Sequence, residues 1–184
     1  DSAEEAAWFS DKAGKHTVKY ETCTHISSGR IMWVFGGVPG SVHDSTIVQQ
    51  SGLLEVIPEG EMGLADKGYI GLPPHQFMVL LKAQVFNQGP LAYVPTFTLD
   101  EHIYNSCIAS QRIEIERVNG RIKRFQVMWR WRGRNRHEHS MMFTVICNIV
   151  NIWMELEPMR KSIHPILLDC PMARPNRSMG LANE

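Results

Sequence analysis

No Cys-x-x-Cys pair occurs in these 184 residues; Cys23, Cys107, Cys147 and Cys170 are scattered along the chain. That excludes a zinc ribbon and argues against a disulfide framework, leaving reduced, mostly buried thiols of an intracellular protein as the expectation. GxxxxGK(S/T), GxGxxG, HExxH and GxSxG are absent too, which removes P-loop, dinucleotide-fold, zincin and serine-hydrolase chemistry. There is no internal repeat and no low-complexity tract. The longest nearly apolar run, "MMFTVICNIVNIWM" (141–154), contains Asn148 and Asn151. It is short of the roughly 18 residues that a membrane helix needs and reads as a buried helix, so no membrane partner is expected. No charged-then-apolar leader opens the sequence, so nothing marks secretion.

Net charge is missing as well: 19 Lys and Arg balance 19 Asp and Glu. The balance hides a polarity along the chain. Asp1 to Lys67 holds ten acidic and five basic residues, whereas Arg112 to Arg136 holds nine basic and two acidic ones. Such clustering points to a polyanionic partner more strongly than overall charge does. With 43% apolar residues, the length suits one domain with a sizeable core.

"HTVKYETCTHI" (16–26) and "RIMWVFGG" (30–37) read as a hairpin joined by the turn "SSGR". Ser41 is then the expected N-cap of a helix, with Asp44 in capping-box position. "EMGLADKGYIG" (61–71) reads as a short buried strand ending at Asp66, followed by a turn. The prolines and glycine between 72 and 99 predict a loop-rich connection. From Asp100 a long helix is expected, with an apolar stripe through Tyr104, Ile108, Ile115, Val118, Ile122 and Phe125. "RWRGRNRHEH" reads as a basic loop, and a second helix is expected from about Ser140 to Leu156. The order predicts an α/β or α+β domain with a small mixed sheet flanked by helices over 1–157, and an extended or mobile tail over 158–184.

Asp66 is the first candidate for chemistry, because α/β sheets carry functional groups just outside the carboxyl ends of their strands. The plainer alternative is an Asp that only starts the turn. For Asp44 the pattern favours a helix cap over a ligand, and His43 beside it could be a base or ligand, though a lone His is more often structural or exposed. In "RIEIERVNGRIKRF" (112–125), Glu116 adjoins the core-facing Ile115, at the edge of the stripe, while Glu114 is about 200° away on a regular helix. At most one of them can join an active centre, and Glu114 is expected to be a charge-balancing surface residue. Carboxylates from separate elements suit Mg²⁺ or Mn²⁺ and phosphodiester chemistry. "HEH" (137–139) has a metal-like composition but lacks a Cys pair and is not expected to bind zinc. Arg121, Lys123, Arg124, Arg130, Arg132 and Arg134, interleaved with Trp129 and Trp131, suit contact with a nucleic-acid backbone. A solubilising loop is the alternative.

"GKHTVKYE", "GRIMWVFGGVPGSVHDSTI", "SGLLEVIPEGEMGLADKGYIG" and "RIEIERVNGRIKRF", in this order, resemble the DDE superfamily endonuclease domain of Harbinger-type transposases and their domesticated relatives. The resemblance covers roughly residues 8 to 155. It implies an RNase H-like fold and a hydrolase that cuts DNA with divalent metal (Mg²⁺ or Mn²⁺), acting in the nucleus of a eukaryote and otherwise in the cytoplasm. It assigns catalytic roles to Asp66 and Glu116 and adds Asp44 at or beside the metal. One departure matters. The family's first strand, with its catalytic aspartate, has no counterpart ahead of "GKHTVKYE", so the expectation is a domain truncated at its N-terminal side. No helix-turn-helix or similar DNA-reading module is seen ahead of it, so sequence-specific binding is expected to need further sequence or a separate partner protein. Two other readings stand beside the nuclease: a catalytically inactive, transposase-derived module that binds DNA or protein, and a metal-free scaffold.

Overall fold

A computed structural model describes residues 6–10, 14–81, 97–130 and 135–158. A two-residue pairing opens it, β1 (Phe9–Ser10) with β2 (Lys15–His16). The expected hairpin follows as β3 (Val18–Thr24) and β4 (Ile31–Pro39), antiparallel throughout. Its turn closes through His25 and Arg30, with Gly29 at φ 71°. The register shifts at Lys19/Tyr20, where Gly36 and Gly37 adopt positive φ; a Cβ on Gly36 would stand 2.7 Å from the Tyr20 Cα. Only glycine tolerates that approach.

Alternation along β3 sends its side chains to two layers. Tyr20 stacks on Phe143, with ring centroids 3.9 Å apart, while Cys23 packs with the opposite core around Val48, Ala65 and Phe77. Two short helices, α1 (Asp44–Gln50) and α2 (Leu53–Val56), precede β5 (Gly63–Ala65). The connection that had read as loop contains a further strand, β6 (Phe77–Val79), parallel to β5. Phe77 and Val79 face the helices α1 and α2, whereas Met78 faces Tyr104 and Ile108 of α3 (Leu99–Ile122). The last helix, α4 (Arg136–Leu156), covers the hairpin through Phe143, Ile146, Cys147, Val150 and Met154.

The secondary structure is thus mixed α/β, as expected, but the strands form three separate two-stranded pairings among the described residues, not one small mixed sheet. Helix α4 starts four residues earlier than expected, at Arg136, because Asn135 caps it by accepting the His137 N–H. It is buried on one face only: Met141, Val145, Ile149, Ile152 and Leu156 lie exposed on the other. Asn151, within the apolar run, accepts from the Ile31 N–H and donates to the Ile31 carbonyl. It ties α4 to the start of β4. No helix of the described residues is long and apolar enough to cross a membrane. The expected tail from 159 onward lies outside the described residues.

Candidate active site

Asp66 follows β5 directly and caps the single 3₁₀ turn Lys67–Tyr69, its Oδ1 accepting from the Lys67 N–H at 2.6 Å. Its other oxygen, Oδ2, accepts from Arg112 Nη2 at 3.3 Å. The same Nη2 lies 3.8 Å from Glu116 Oε1, one helical turn further along α3. One guanidinium therefore spans the two carboxylates singled out in the sequence. Both are open to solvent, with side chains 49% and 66% exposed.

Glu114 is paired as expected, to Arg117 at 2.8 Å, but it is not a surface residue: its side chain is 16% exposed. It falls seven residues after Cys107 and four before Val118, both buried, so it shares their inward-facing stripe. Glu116 is turned off that stripe.

Asp44 is the first residue of α1, and no side chain caps this helix. The expected cap is not formed, because the Ser41 hydroxyl donates instead to the Ala7 carbonyl at 2.6 Å. Asp44 Oδ1 pairs with Lys19 at 3.0 Å, and Lys19 also donates to the Val42 carbonyl. Oδ2 lies 2.8 Å from where a Cβ on Gly68 would stand. Asp44 thus borders the Asp66 turn from the hairpin side, without sharing Arg112.

Two residues here carried no strong signal in the sequence. Arg112 could have been found from its four-residue spacing to Glu116. Glu21 reads as an ordinary strand residue, yet it is largely buried and accepts the Tyr69 hydroxyl on both oxygens, at 3.0 and 2.8 Å. Burial pushes its carboxyl up to about 7, and the Asp44 charge adds to this; the Tyr69 hydrogen bond and Lys19 oppose it. Burial, and then Glu21 itself, raise the Tyr69 phenol as well.

Beyond α3 lies the basic surface. Arg121 and Arg124 both stack on Trp153, 4.7 and 5.1 Å from its ring centre, and Arg121 donates to the Glu157 carbonyl. Lys123 and Arg130 are exposed, next to the exposed Trp129. Arg132 and Arg134 lie outside the described residues. "HEH" is the first turn of α4 and not a loop; His139 is buried, its Nδ1 at the Tyr20 hydroxyl.

Residues 1–152 match the family described as DDE superfamily endonuclease. The chain belongs to this family. It is also 30% identical, over 158 residues, to the probable transposase for insertion sequence element IS702 of Microchaete diplosiphon. That likeness covers 82% of this chain and 51% of the relative, so the chain spans about half the relative's length. No solved structure matches it.

DDE endonucleases typically use divalent metals, and this chain's own residues test the fit. Asp66 and Glu116 are exposed hard-oxygen donors already gathered by a cation, the Arg112 guanidinium. Mg²⁺ accepts one or two protein carboxylates and completes its shell with water and phosphate. Among the described residues, no group of three or more His, Cys, Asp or Glu side chains could hold a metal ion. The donor set fits a two-carboxylate site and no closed cage.

Proposed function

We propose that this chain is the catalytic portion of a divalent-metal-dependent DNA endonuclease of transposase type. The observation that carries the reading is Arg112 spanning Asp66 and Glu116, which are 50 positions apart in the sequence and meet at the carboxyl end of β5. In this reading Asp66 and Glu116 hold Mg²⁺ or Mn²⁺, with Asp44 beside them. Such an ion, when bound, lowers the cost of charge on the attacking and leaving oxygens of a phosphodiester. Arg112 keeps the two carboxylates aligned until then and afterwards faces the phosphate. Lys123, Arg124 and Arg130, with Arg132 and Arg134, hold the DNA backbone; Trp129 offers a stacking face beside them. Arg121 adds charge but is committed to Trp153 and Glu157.

The finer fold belongs to the same proposal. In an RNase H-like arrangement, one more strand would run between β3 and β5, neither of which has a strand partner on its outer side among the described residues. The reading assigns the first catalytic aspartate to that strand, supplied by sequence ahead of Asp1, with a separate protein reading the DNA sequence. The Harbinger-type assignment rests on "PGSVHDSTI" and "LADKGY", and a nuclear site of action follows from it in a eukaryote.

A second reading has its own support. Arg112 already pairs with both carboxylates and offsets part of their mutual repulsion without metal, as suits a catalytically inactive module that binds DNA or protein. Plasmid nicking with Mg²⁺ and Mn²⁺ separates the two. The nuclease reading expects weak nicking by the 184-residue chain and much stronger nicking once an upstream Asp-bearing strand is restored. Metal-independent DNA binding with no nicking in either protein would leave the inactive module.

A further inference from the structure

A largely buried carboxylate is costly unless it is paired, and among the described residues Glu21 forms no ion pair. Its partner is the Tyr69 hydroxyl, which belongs to the turn that begins at Asp66. We propose that Glu21 is a positioning residue that, through Tyr69, fixes the turn aiming Asp66 at Arg112 and Glu116. The inference rests on the reading of Asp66 as an active-site carboxylate.

The turn has little to hold it by itself. It is one 3₁₀ turn, closed by the Tyr69 N–H on the Asp66 carbonyl at 3.0 Å and by the Lys67 N–H on Asp66 Oδ1. Such turns have poor hydrogen-bond geometry and are marginal alone. Lys67 and Gly68 are exposed, whereas Tyr69 turns inward to the core around Val48 and Phe77. Glu21, by contrast, stands on a rigid base. It is paired opposite Phe35 in the β3–β4 ladder, and its neighbour Tyr20 is stacked on Phe143 of α4. The hairpin thus lends its rigidity to the turn through one shared hydroxyl. Asp44, against Gly68, limits movement from the other side, because no Cβ fits between them.

The test compares Tyr69→Phe, Glu21→Leu and Glu21→Gln in the 184-residue chain, read by amide hydrogen exchange of residues 66–70 against 18–39. Tyr69→Phe keeps the ring and its packing, so it serves even where Glu21→Leu fails to fold. Loss of the hydrogen bond to the Glu21 carboxyl should speed exchange in the turn roughly tenfold and leave the hairpin unchanged. Glu21→Gln keeps an acceptor for Tyr69 and should restore most of the protection. Mn²⁺ affinity should fall in Tyr69→Phe and recover in Glu21→Gln. In a cleavage-competent protein, kcat should fall by up to about 100-fold, as expected for a carboxylate displaced by about 1 Å, with KM for DNA little changed. Turn exchange at the parent rate in Tyr69→Phe overturns the proposal. A parent that never cleaves DNA overturns the nuclease reading instead, and exchange with Mn²⁺ affinity still decides the role of Glu21.

Discussion

Glu116 keeps 66% of its side chain in solvent, while Glu114, two residues earlier, keeps 16% and is clamped by Arg117. Their substitutions should therefore fail differently. Glu116→Gln should abolish nicking in a cleavage-competent protein and leave the unfolding midpoint unchanged, since an exposed i,i+4 pair contributes about 0.3–0.5 kcal/mol. Glu114→Gln should spare nicking and lower stability by about 0.5–1 kcal/mol, measurable by urea denaturation. Reversed phenotypes would mean that Glu114 is the residue facing the metal. Glu21 supplies a pH signature. Its folded-state pKa is about 7, above the ordinary 4.5, so between these values the folded chain keeps a proton that the unfolded chain releases. The associated stability is complete below the lower value and is lost as pH rises to the upper one, by an amount on the order of 3 kcal/mol at most. Urea midpoints measured from about pH 5 to about pH 8 should fall more steeply for the parent than for Glu21→Gln. Parallel curves would mean that Glu21 titrates as an ordinary carboxyl.

At the scale of elements, α3 carries the site and depends on how it starts. Thr98 accepts from the Glu101 N–H, and the Glu101 carboxylate accepts from the Thr98 N–H, a reciprocal capping box. Thr98→Ala should cost about 1 kcal/mol by thermal or urea unfolding. A loss below a few tenths would show that tertiary packing alone fixes that end. The helix itself was legible in the apolar spacing of Tyr104, Ile108, Val118 and Ile122, all of which are buried. So was the hairpin, whose β-branched and aromatic residues flank a Gly turn. Strand β6 was not legible: three residues after two prolines are too few for a periodic signal, and they become a strand only because β5 lies alongside. The start of α1 was misplaced because Ser41 satisfies a distant backbone carbonyl, a long-range choice invisible to local capping rules. In the same way, Asp66 and Glu116 could be proposed separately from sequence, and the i,i+4 spacing offers Arg112 to Glu116, but the reach of that guanidinium to Asp66 is a long-range contact that local spacing cannot show.

For the molecule as a whole, the decisive feature is that charge is balanced in sum and separated along the chain. Ten acidic residues crowd the first 67 positions, and nine basic ones crowd 112–136. Glu116, Arg112 and the start of the basic surface share helix α3, with Lys123 just past its end, about three turns from Arg112. A phosphate backbone held at Lys123, Arg124 and Arg130 would thus lie within one helix length of Asp66 and Glu116. Binding of this kind releases condensed counterions, so affinity for duplex DNA should fall steeply and without sequence preference as salt rises. Replacing Arg130, Arg132 and Arg134 with Ala should flatten the log–log salt dependence by about three units, roughly one for each lost phosphate contact. Arg121→Ala should behave differently. Its guanidinium is spent on Trp153 and the Glu157 carbonyl, so the change should lower the unfolding midpoint and shift the slope by well under about one unit. Fluorescence anisotropy with a labelled duplex at several salt concentrations measures both. An unchanged slope in the triple variant would assign the 130–134 segment to solubility alone, and a full-unit change in Arg121→Ala would place that arginine on the DNA.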